Sequence, residues 1–477
     1  MSQVLAFEAA FMTVPVAICA YDRSYKTMRA FLFTMLCSLI IAGGVYYVCR
    51  NAKKGFRARE GFVCVGLSWI LMSFVGCIPF WISGEIPSFI DALFETASGF
   101  TTTGSSILSD IEALSRGALY WRSFTHWVGG MGVLVFLLAV VPGEKKNGGF
   151  TMHLLRAESP GQIVGKLVPK MKQSAMILYI LYIILTLLDF IFLVIDPGMP
   201  VFDAVCTAFG TAGTGGFSVR NIGLAYYSPY VQNVCTVFML LFGTNFTCYY
   251  LLLMRNFKGF FSNIELRAYV GWVFAAIVFV FINIRSLYET AGEALRHAAF
   301  QVASITTTTG FASTDFDVWP AFSKAILLAM MFIGACAGST GGGLKVQRVV
   351  LLLKDLRRNI HQLIHPTEVR TVGMDGQRVN EKVLRNTGMY FIAYALIVFV
   401  SFLLVSVDGF TVTTNISAVA ACMNNIGPGF EQVGPTLNYA GYSAFSKLVL
   451  IGDMLAGRLE IFPILVLFAR STWKKSL

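Results

Sequence analysis

Runs of about 20 consecutive, predominantly apolar residues recur along this 477-residue chain, and a helix of that length matches the hydrocarbon thickness of a bilayer. Candidate spans fall near 4–20, 28–49, 60–81, 117–141, 174–196, 230–254, 266–285, 321–337, 384–406 and 440–468, about ten in all. Only helices and closed barrels satisfy their own backbone in lipid, so the pattern predicts an all-α polytopic membrane protein. Composition agrees: 56% of residues are hydrophobic and 13% charged, against about 25% charged in a soluble domain.

The formal net charge of +11 raises the question of nucleic acid, but the cations sit in short blocks between apolar runs, which is a topology signal. No nucleic-acid partner is expected; the bilayer is the partner. Arg50, Lys53, Lys54, Arg57 and Arg59, the loop 143–173, the basic segment 345–385, and Lys474 with Lys475 all fall on one side. The positive-inside rule makes that side cytoplasmic and puts both termini there. The short loop around Arg23, Lys26 and Arg29 is an exception, placed outside. Met1 to Ala20 lacks a basic leader and a clear small-residue cleavage site and reads as a retained first helix. Ten scattered cysteines without a CxxC pair read as packing residues. Five histidines, with no HExxH and no paired-carboxylate arrangement, argue against an enzyme. No bound cofactor is expected.

After two initial spans a unit repeats four times: an apolar helix, a shorter semi-apolar stretch ending in small polar residues and glycine, then another apolar helix. Aligned without gaps, the short stretches read DALFETASGFTTTG (Asp91–Gly104), DAVCTAFGTAGTGG (Asp203–Gly216), HAAFQVASITTTTG (His297–Gly310) and TNISAVAACMNNIG (Thr414–Gly427). The final glycines lie about 94 to 117 residues apart. Each stretch holds about ten helical residues, too few to span, which suits a re-entrant half-helix. Domain limits follow: an N-terminal two-helix segment (1–55) and pore repeats at 56–143, 160–256, 262–364 and 380–472.

Irregular backbone at membrane depth is tolerated only when buried in protein or lining a water-filled cavity, so four such loops call for one shared axis. Four half-helices ending in carbonyls, with a glycine free to take positive φ, form a site that replaces the hydration shell of an alkali cation. The residues in question are Thr102, Thr103 and Gly104; Thr214, Gly215 and Gly216; Thr308, Thr309 and Gly310; and Asn425, Ile426 and Gly427. None is charged, so carbonyl dipoles and not carboxylates would do the selecting. A single Thr/Gly run would equally suit a surface turn; the fourfold recurrence is what favours the pore.

These four stretches, with Gly334-Ala335-Cys336-Ala337-Gly338-Ser339-Thr340-Gly341-Gly342-Gly343-Leu344-Lys345 and Gly457-Arg458-Leu459-Glu460-Ile461-Phe462, make the sequence resemble the Trk/Ktr/HKT superfamily of potassium transporters, most closely its bacterial TrkH branch. The resemblance implies four helix–pore loop–helix repeats around a pseudo-fourfold pore after two extra helices, in the bacterial inner membrane. It further implies a homodimer with one pore per chain, potassium as the transported ion, and a cytosolic TrkA-type nucleotide-binding regulatory subunit. Glycine at the central position of all four copies resembles the potassium-selective pattern; the alternative within the superfamily is a sodium or unselective monovalent cation pathway. Two departures stand out. Gly213-Thr214-Gly215-Gly216 leaves the second copy's register open, and His126 stands where the resemblance leads one to expect glutamine.

Gly338, Ser339, Thr340, Gly341, Gly342 and Gly343 interrupt the third repeat's second helix, since three consecutive glycines cost a helix about 1 kcal/mol each. The stretch reads either as a hinge or, as the resemblance favours, as a polar gating loop across the pore. It is not a phosphate loop, because Leu344 stands where a Walker lysine is required. Arg458 lies in the last apolar span, and a mid-membrane arginine faces protein or water. It reads as a barrier beneath the filter, or as a packing partner of Glu460 or Asp453. Asn245 reads as a hydrogen-bond partner of the gating loop or as an interhelical contact. Asp91, Asp203 and Glu95 are candidates for drawing cations to the outer mouth, with capping of the half-helices an equal reading for the two aspartates.

Overall fold

The computed structural model describes residues 1–50, 58–132 and 171–473. Lys53, Lys54, Arg57, most of the basic loop 143–173, and Lys474 with Lys475 lie outside the described residues. Among those described, the chain is helical apart from one small hairpin, Gly373–Met374 paired with Gln377–Arg378.

Two N-terminal spans, Ser2–Tyr21 with a slight break at Met12 and Tyr25–Cys49, precede four repeats. The first helices of the repeats are Ala58–Ser83, Met171–Val194, Ile264–Ile284 and Glu381–Val405. Each is long enough to cross a bilayer, at 1.5 Å per residue. The re-entrant helices are Phe89–Phe100, Val201–Gly213, Ala291–Thr306 and Val412–Met423, of 12, 13, 16 and 12 residues. The second helices begin at Arg116, Pro229, Ala321 and Ala444.

Those second helices correct the expectation of about ten continuous spans. Among the described residues six helices are long and apolar enough to cross, or seven counting one bent pair. Arg116–Gly130 ends at a Gly-Gly-Met-Gly run. Pro229–Phe242 turns by 87° into Phe246–Leu253 across Gly243, Thr244 and Asn245. Ala321–Ile333 stops at Gly334 (φ +71°), and Ala444–Arg458 stops before Glu460 and Ile461, both at positive φ. Hydropathy does not register the breaks of repeats 1, 2 and 4, whose neighbours are largely apolar; the glycine-rich break of repeat 3 is legible in the sequence, and its helix stops at Gly334, ahead of Gly338. The break of repeat 3 begins at a glycine with positive φ, that of repeat 1 reaches positive φ at Gly132, and that of repeat 4 turns on Glu460 and Ile461; freed carbonyls of repeats 1, 2 and 3 find donors on other repeats.

Polarity is arranged for a membrane. Leu36, Ile40, Phe274 and Phe399 point outward and are exposed, while Thr101–Thr103, Thr306–Thr309, Asn424 and Asn425 are buried at the centre. The outer apolar surface faces lipid without penalty, and the inner hydroxyls of Thr101 with Thr103 and of Thr307 with Thr309 bond in pairs.

Repeats 1 and 2 are joined at Arg122, which forms a buried ion pair within repeat 1 and reaches a carbonyl of repeat 2. Arg122 donates from Nε to Glu95 Oε1 at 2.5 Å and from NH1 to the Ser218 carbonyl at 2.8 Å, with its guanidinium 3.6 Å from the Phe217 ring centroid. Ser106 and the Ile107 amide complete the hydrogen bonding of Glu95. Removing one partner of such a pair strands a buried charge, so Glu95→Gln is expected to cost about 3–5 kcal/mol of stability. Asp22→Asn, which breaks the exposed Arg116–Asp22 pair, is expected to cost under about 1 kcal/mol. Thermal melting of both variants in detergent checks this; equal shifts would mean the buried pair contributes no more than the exposed one.

Candidate functional site

The four re-entrant helices end in the same way. The amides of Thr103, Gly215, Thr309 and Ile426 donate to carbonyls five residues back, on Ser98, Gly210, Ser304 and Ala421, at 2.8, 2.9, 2.8 and 2.9 Å. The amides one residue earlier, on Thr102, Thr214, Thr308 and Asn425, donate three residues back. This pair of bonds is the Schellman closure of a helix C-terminus, which requires a left-handed residue at its turn. Here that residue is Thr102 (φ +55°), Thr214 (+53°), Thr308 (+60°) or Asn425 (+56°). A left-handed residue with a side chain costs roughly 1–2 kcal/mol, and β-branched ones are rare there, so the strain is a feature of the site.

Two residues on, Gly104, Gly216, Gly310 and Gly427 also have positive φ, +81°, +72°, +82° and +99°. A Cβ on Gly104 would fall on the carbonyl of Gly215, one on Gly216 on that of Thr309, one on Gly310 on that of Ile426, and one on Gly427 against that of Thr103. Each glycine therefore abuts the residue preceding the glycine of the next repeat, and the four stretches close a ring in the order 1, 2, 3, 4. This places Gly216 in register with the other three.

Side chains brace the ring from behind. Thr101 and Thr103 share a hydroxyl bond of 2.7 Å, and Thr307 and Thr309 one of 2.8 Å. In the fourth copy Asn425 donates to Thr103 Oγ1 at 3.0 Å and to the Met454 carbonyl at 2.9 Å, tying repeat 4 to repeat 1. His126 spans two copies: Nδ1 is 2.8 Å from the Gly99 carbonyl, and Nε2 accepts from the Phe217 amide at 3.3 Å. On one side of the ring lies a vestibule of about 400 Å³, into which all four glycines face.

The three carboxylates singled out near that mouth, Asp91, Asp203 and Glu95, are each paired with a cationic side chain. Asp91 is 2.6 Å from Lys447, Asp203 accepts from Arg220 at 3.1 Å and from Tyr227 at 2.7 Å, and Glu95 holds Arg122. This corrects the reading that they draw cations as free charges. Nor do the aspartates cap: Ser88 accepts the Asp91 amide, and the second helix starts after Pro200.

On the other side of the ring lies the glycine-rich break. The Gly342 amide donates to Thr308 Oγ1 at 2.6 Å, and a Cβ on Gly341 would stand 2.8 Å from the Thr307 carbonyl. The stretch thus presses against the left-handed residues themselves. Thr340 Oγ1 donates to the Phe242 carbonyl at 3.2 Å, the Phe246 amide to the Gly338 carbonyl at 3.0 Å, and the Cys336 amide to the Gly243 carbonyl at 3.0 Å. The bend in the second repeat thereby satisfies the break in the third. Ser339 Oγ turns back onto the Cys336 carbonyl at 2.6 Å, and Gly343 (φ +76°) leads out of the loop.

Arg458 does not pair with Glu460 or Asp453. Glu460 forms its ion pair with Arg348, and Asp453 accepts from Ser401 at 2.6 Å. The guanidinium of Arg458 instead donates to the Thr340 carbonyl at 2.8 Å and to the carbonyls of Gly129 and Gly130. It joins the breaks of repeats 1, 3 and 4 at one point. Asn245 caps the helix Phe246–Leu253 through the Thr247 amide and donates to Glu265 Oε2 at 3.2 Å; Glu265 Oε1 accepts the Ala337 amide at 2.5 Å. Asn245 thus reaches the loop through a shared carboxylate. Sequence reasoning missed Glu265, and it counted Lys345 in the cytoplasmic basic segment, whereas Lys345 is buried with Nζ donating to the Gly341 carbonyl. A carboxylate at the start of an apolar helix looks like an ordinary solvated flank.

A family model described as TrkH, cation transport protein, matches residues 27–475. The chain is 36% identical over 454 residues to a Salmonella typhimurium protein named Trk system potassium uptake protein TrkH, covering 94% of this chain and 92% of that one. It is 33% identical over 468 residues to the Escherichia coli Trk system potassium uptake protein TrkG, covering 97% and 95%. The crystal structure of the potassium transporter TrkH from Vibrio parahaemolyticus superposes with a TM-score of 0.87 at 32% identity, covering 99% of this chain and 98% of that one. With a family model matched over nearly its whole length, and with the ring and breaks described above, this chain belongs to the TrkH family of cation transport proteins.

Proposed function

We propose that the chain is a potassium-selective uptake pathway of the bacterial inner membrane. Its filter is the ring of Thr102–Gly104, Thr214–Gly216, Thr308–Gly310 and Asn425–Gly427, and its gate is the loop Gly338–Gly343 held by Arg458. The observation that carries this reading is the closed ring of four identical left-handed turns, each followed by a glycine against its neighbour's carbonyl. The names of the relatives, all Trk system potassium uptake proteins, supply the ion.

A dehydrating alkali cation loses water ligands and must regain oxygen ligands of similar number and strength. Four strands of uncharged carbonyls offer these without the trapping effect of a carboxylate ring. Beneath, the loop closes the path. Its amide on Gly342 occupies the hydroxyl of Thr308, and the Thr340 carbonyl is pinned by Arg458. A fixed cation there also repels the permeating ion, so Arg458 opposes flux twice, by electrostatics and by holding the loop. The bonds fastening the loop to repeat 2, to Thr308 of its own repeat and to Arg458 of repeat 4 favour a gate over a passive hinge. Opening belongs to a cytosolic TrkA-type nucleotide-binding subunit acting on a homodimer, with both termini cytoplasmic and one pore per chain.

Three outcomes in proteoliposome flux test this reading. Gly104→Ser places a side chain onto the Gly215 carbonyl at a φ of +81°; the ratio of potassium to sodium flux is expected to fall about tenfold or more, the equivalent of roughly 1.4 kcal/mol. An unchanged ratio removes Gly104 from the filter. Arg458→Ala removes charge-assisted bonds worth about 1.5–3 kcal/mol each, so potassium flux should rise about tenfold or more with the ion preference kept. A shifted preference at unchanged rate contradicts the barrier role. Deleting Gly338–Gly343 is expected to leave a pore that conducts without its cytosolic partner, whereas a monodisperse deletion variant with flux at or below wild type ends the gate hypothesis.

A further inference from the structure

The small hairpin lies at the start of the helix Ile264–Ile284, on the loop's side of the ring. Its tip is Asp375-Gly376, with φ of +48° and +76°, the pair of left-handed residues that closes a two-residue hairpin. Asp375 Oδ1 accepts the Ile264 amide at 2.8 Å, and Oδ2 accepts Asn263 Nδ2 at 3.3 Å. Asn263 itself caps that helix through the Leu266 amide at 2.8 Å. An orphan amide of the first turn is thus satisfied by a carboxylate from another part of the chain, at the end of the helix dipole that favours negative charge.

The next residue is Glu265, which holds the loop through the Ala337 amide and Asn245. The hairpin is fastened on its other side as well. Val372, Met374 and Val379 pack with Leu351 of the helix Val346–Ile364 and with Ile264, and Lys354 Nζ donates to the Gly373 carbonyl at 2.8 Å. That helix leads directly out of the loop. The hairpin is therefore joined to the elements at both ends of the gating segment: to the exit helix at Leu351 and Lys354, and to Ile264, whose neighbour Glu265 accepts the Ala337 amide at the entry.

We propose that Asp375 and Glu265 are positioning residues that couple this hairpin to the gating loop: the Asp375 carboxylate sets the position of Ile264 and Glu265, and Glu265 in turn holds Ala337 and the loop closed. Moving the hairpin then loosens the loop without any change at the ring. This rests on the reading of Gly338–Gly343 as the gate, and it names the element through which that gate is moved.

Hydrogen exchange of the full chain in lipid nanodiscs tests the coupling independently of transport. Asp375→Gly removes the carboxylate while keeping the left-handed turn, and Asp375→Asn retains an acceptor for the Ile264 amide. Exchange across 334–345 is expected to quicken about tenfold in Asp375→Gly and to return toward wild type in Asp375→Asn. Unchanged exchange across 334–345 in Asp375→Gly overturns the coupling, as does equal acceleration in both variants. Potassium flux on the same samples separates the two hypotheses. Faster exchange with raised flux supports both. Faster exchange with unaltered flux leaves the coupling standing and overturns the loop as gate.

Discussion

The structure depends on where backbone carbonyls can be left without an amide partner. In hydrocarbon such a group costs several kcal/mol, so a chain that ends helices at membrane depth must give every freed carbonyl a use. Here four re-entrant helices and four second helices stop inside the membrane. The Schellman closures at Thr102, Thr214, Thr308 and Asn425 satisfy one set of carbonyls internally and turn the following residues toward a common axis. The breaks at Gly129–Gly130, Gly243, Gly338–Gly343 and Gly457 satisfy one another across repeats through Arg458 and through amides of the loop.

A consequence is that ring and loop are one packed object. Gly457 lies so close to the Met423 carbonyl that a Cβ there would collide, as Gly129 does with Phe100. The loop amide at Gly342 reaches the hydroxyl of a ring residue. Charges follow the same economy: Arg122 pairs with Glu95 inside repeat 1 and reaches repeat 2 through the Ser218 carbonyl, Arg348 with Glu460 binds repeats 3 and 4, and the ring itself is built from uncharged residues.

The sequence by itself determined that the chain is a helical membrane protein and that one unit recurs four times, because apolar length and a gapless Thr/Gly pattern are properties of residues in a row. It also singled out the polar break at Gly338–Gly343 and Arg458, since such residues stand out against apolar neighbours. Tertiary structure decided the rest. Whether Gly213, Gly215 or Gly216 is the second copy's ring residue depends on which one meets Gly104 and Thr309, a contact between repeats about 100 residues apart. Outside the third repeat, hydropathy could not tell that the second helices stop halfway, because a broken apolar run has nearly the same composition as a continuous one. The partners of Arg458, Glu460, Asp203 and Glu265 are likewise set by packing: a charge in the sequence states a need for a partner, and only the fold brings one within hydrogen-bond distance.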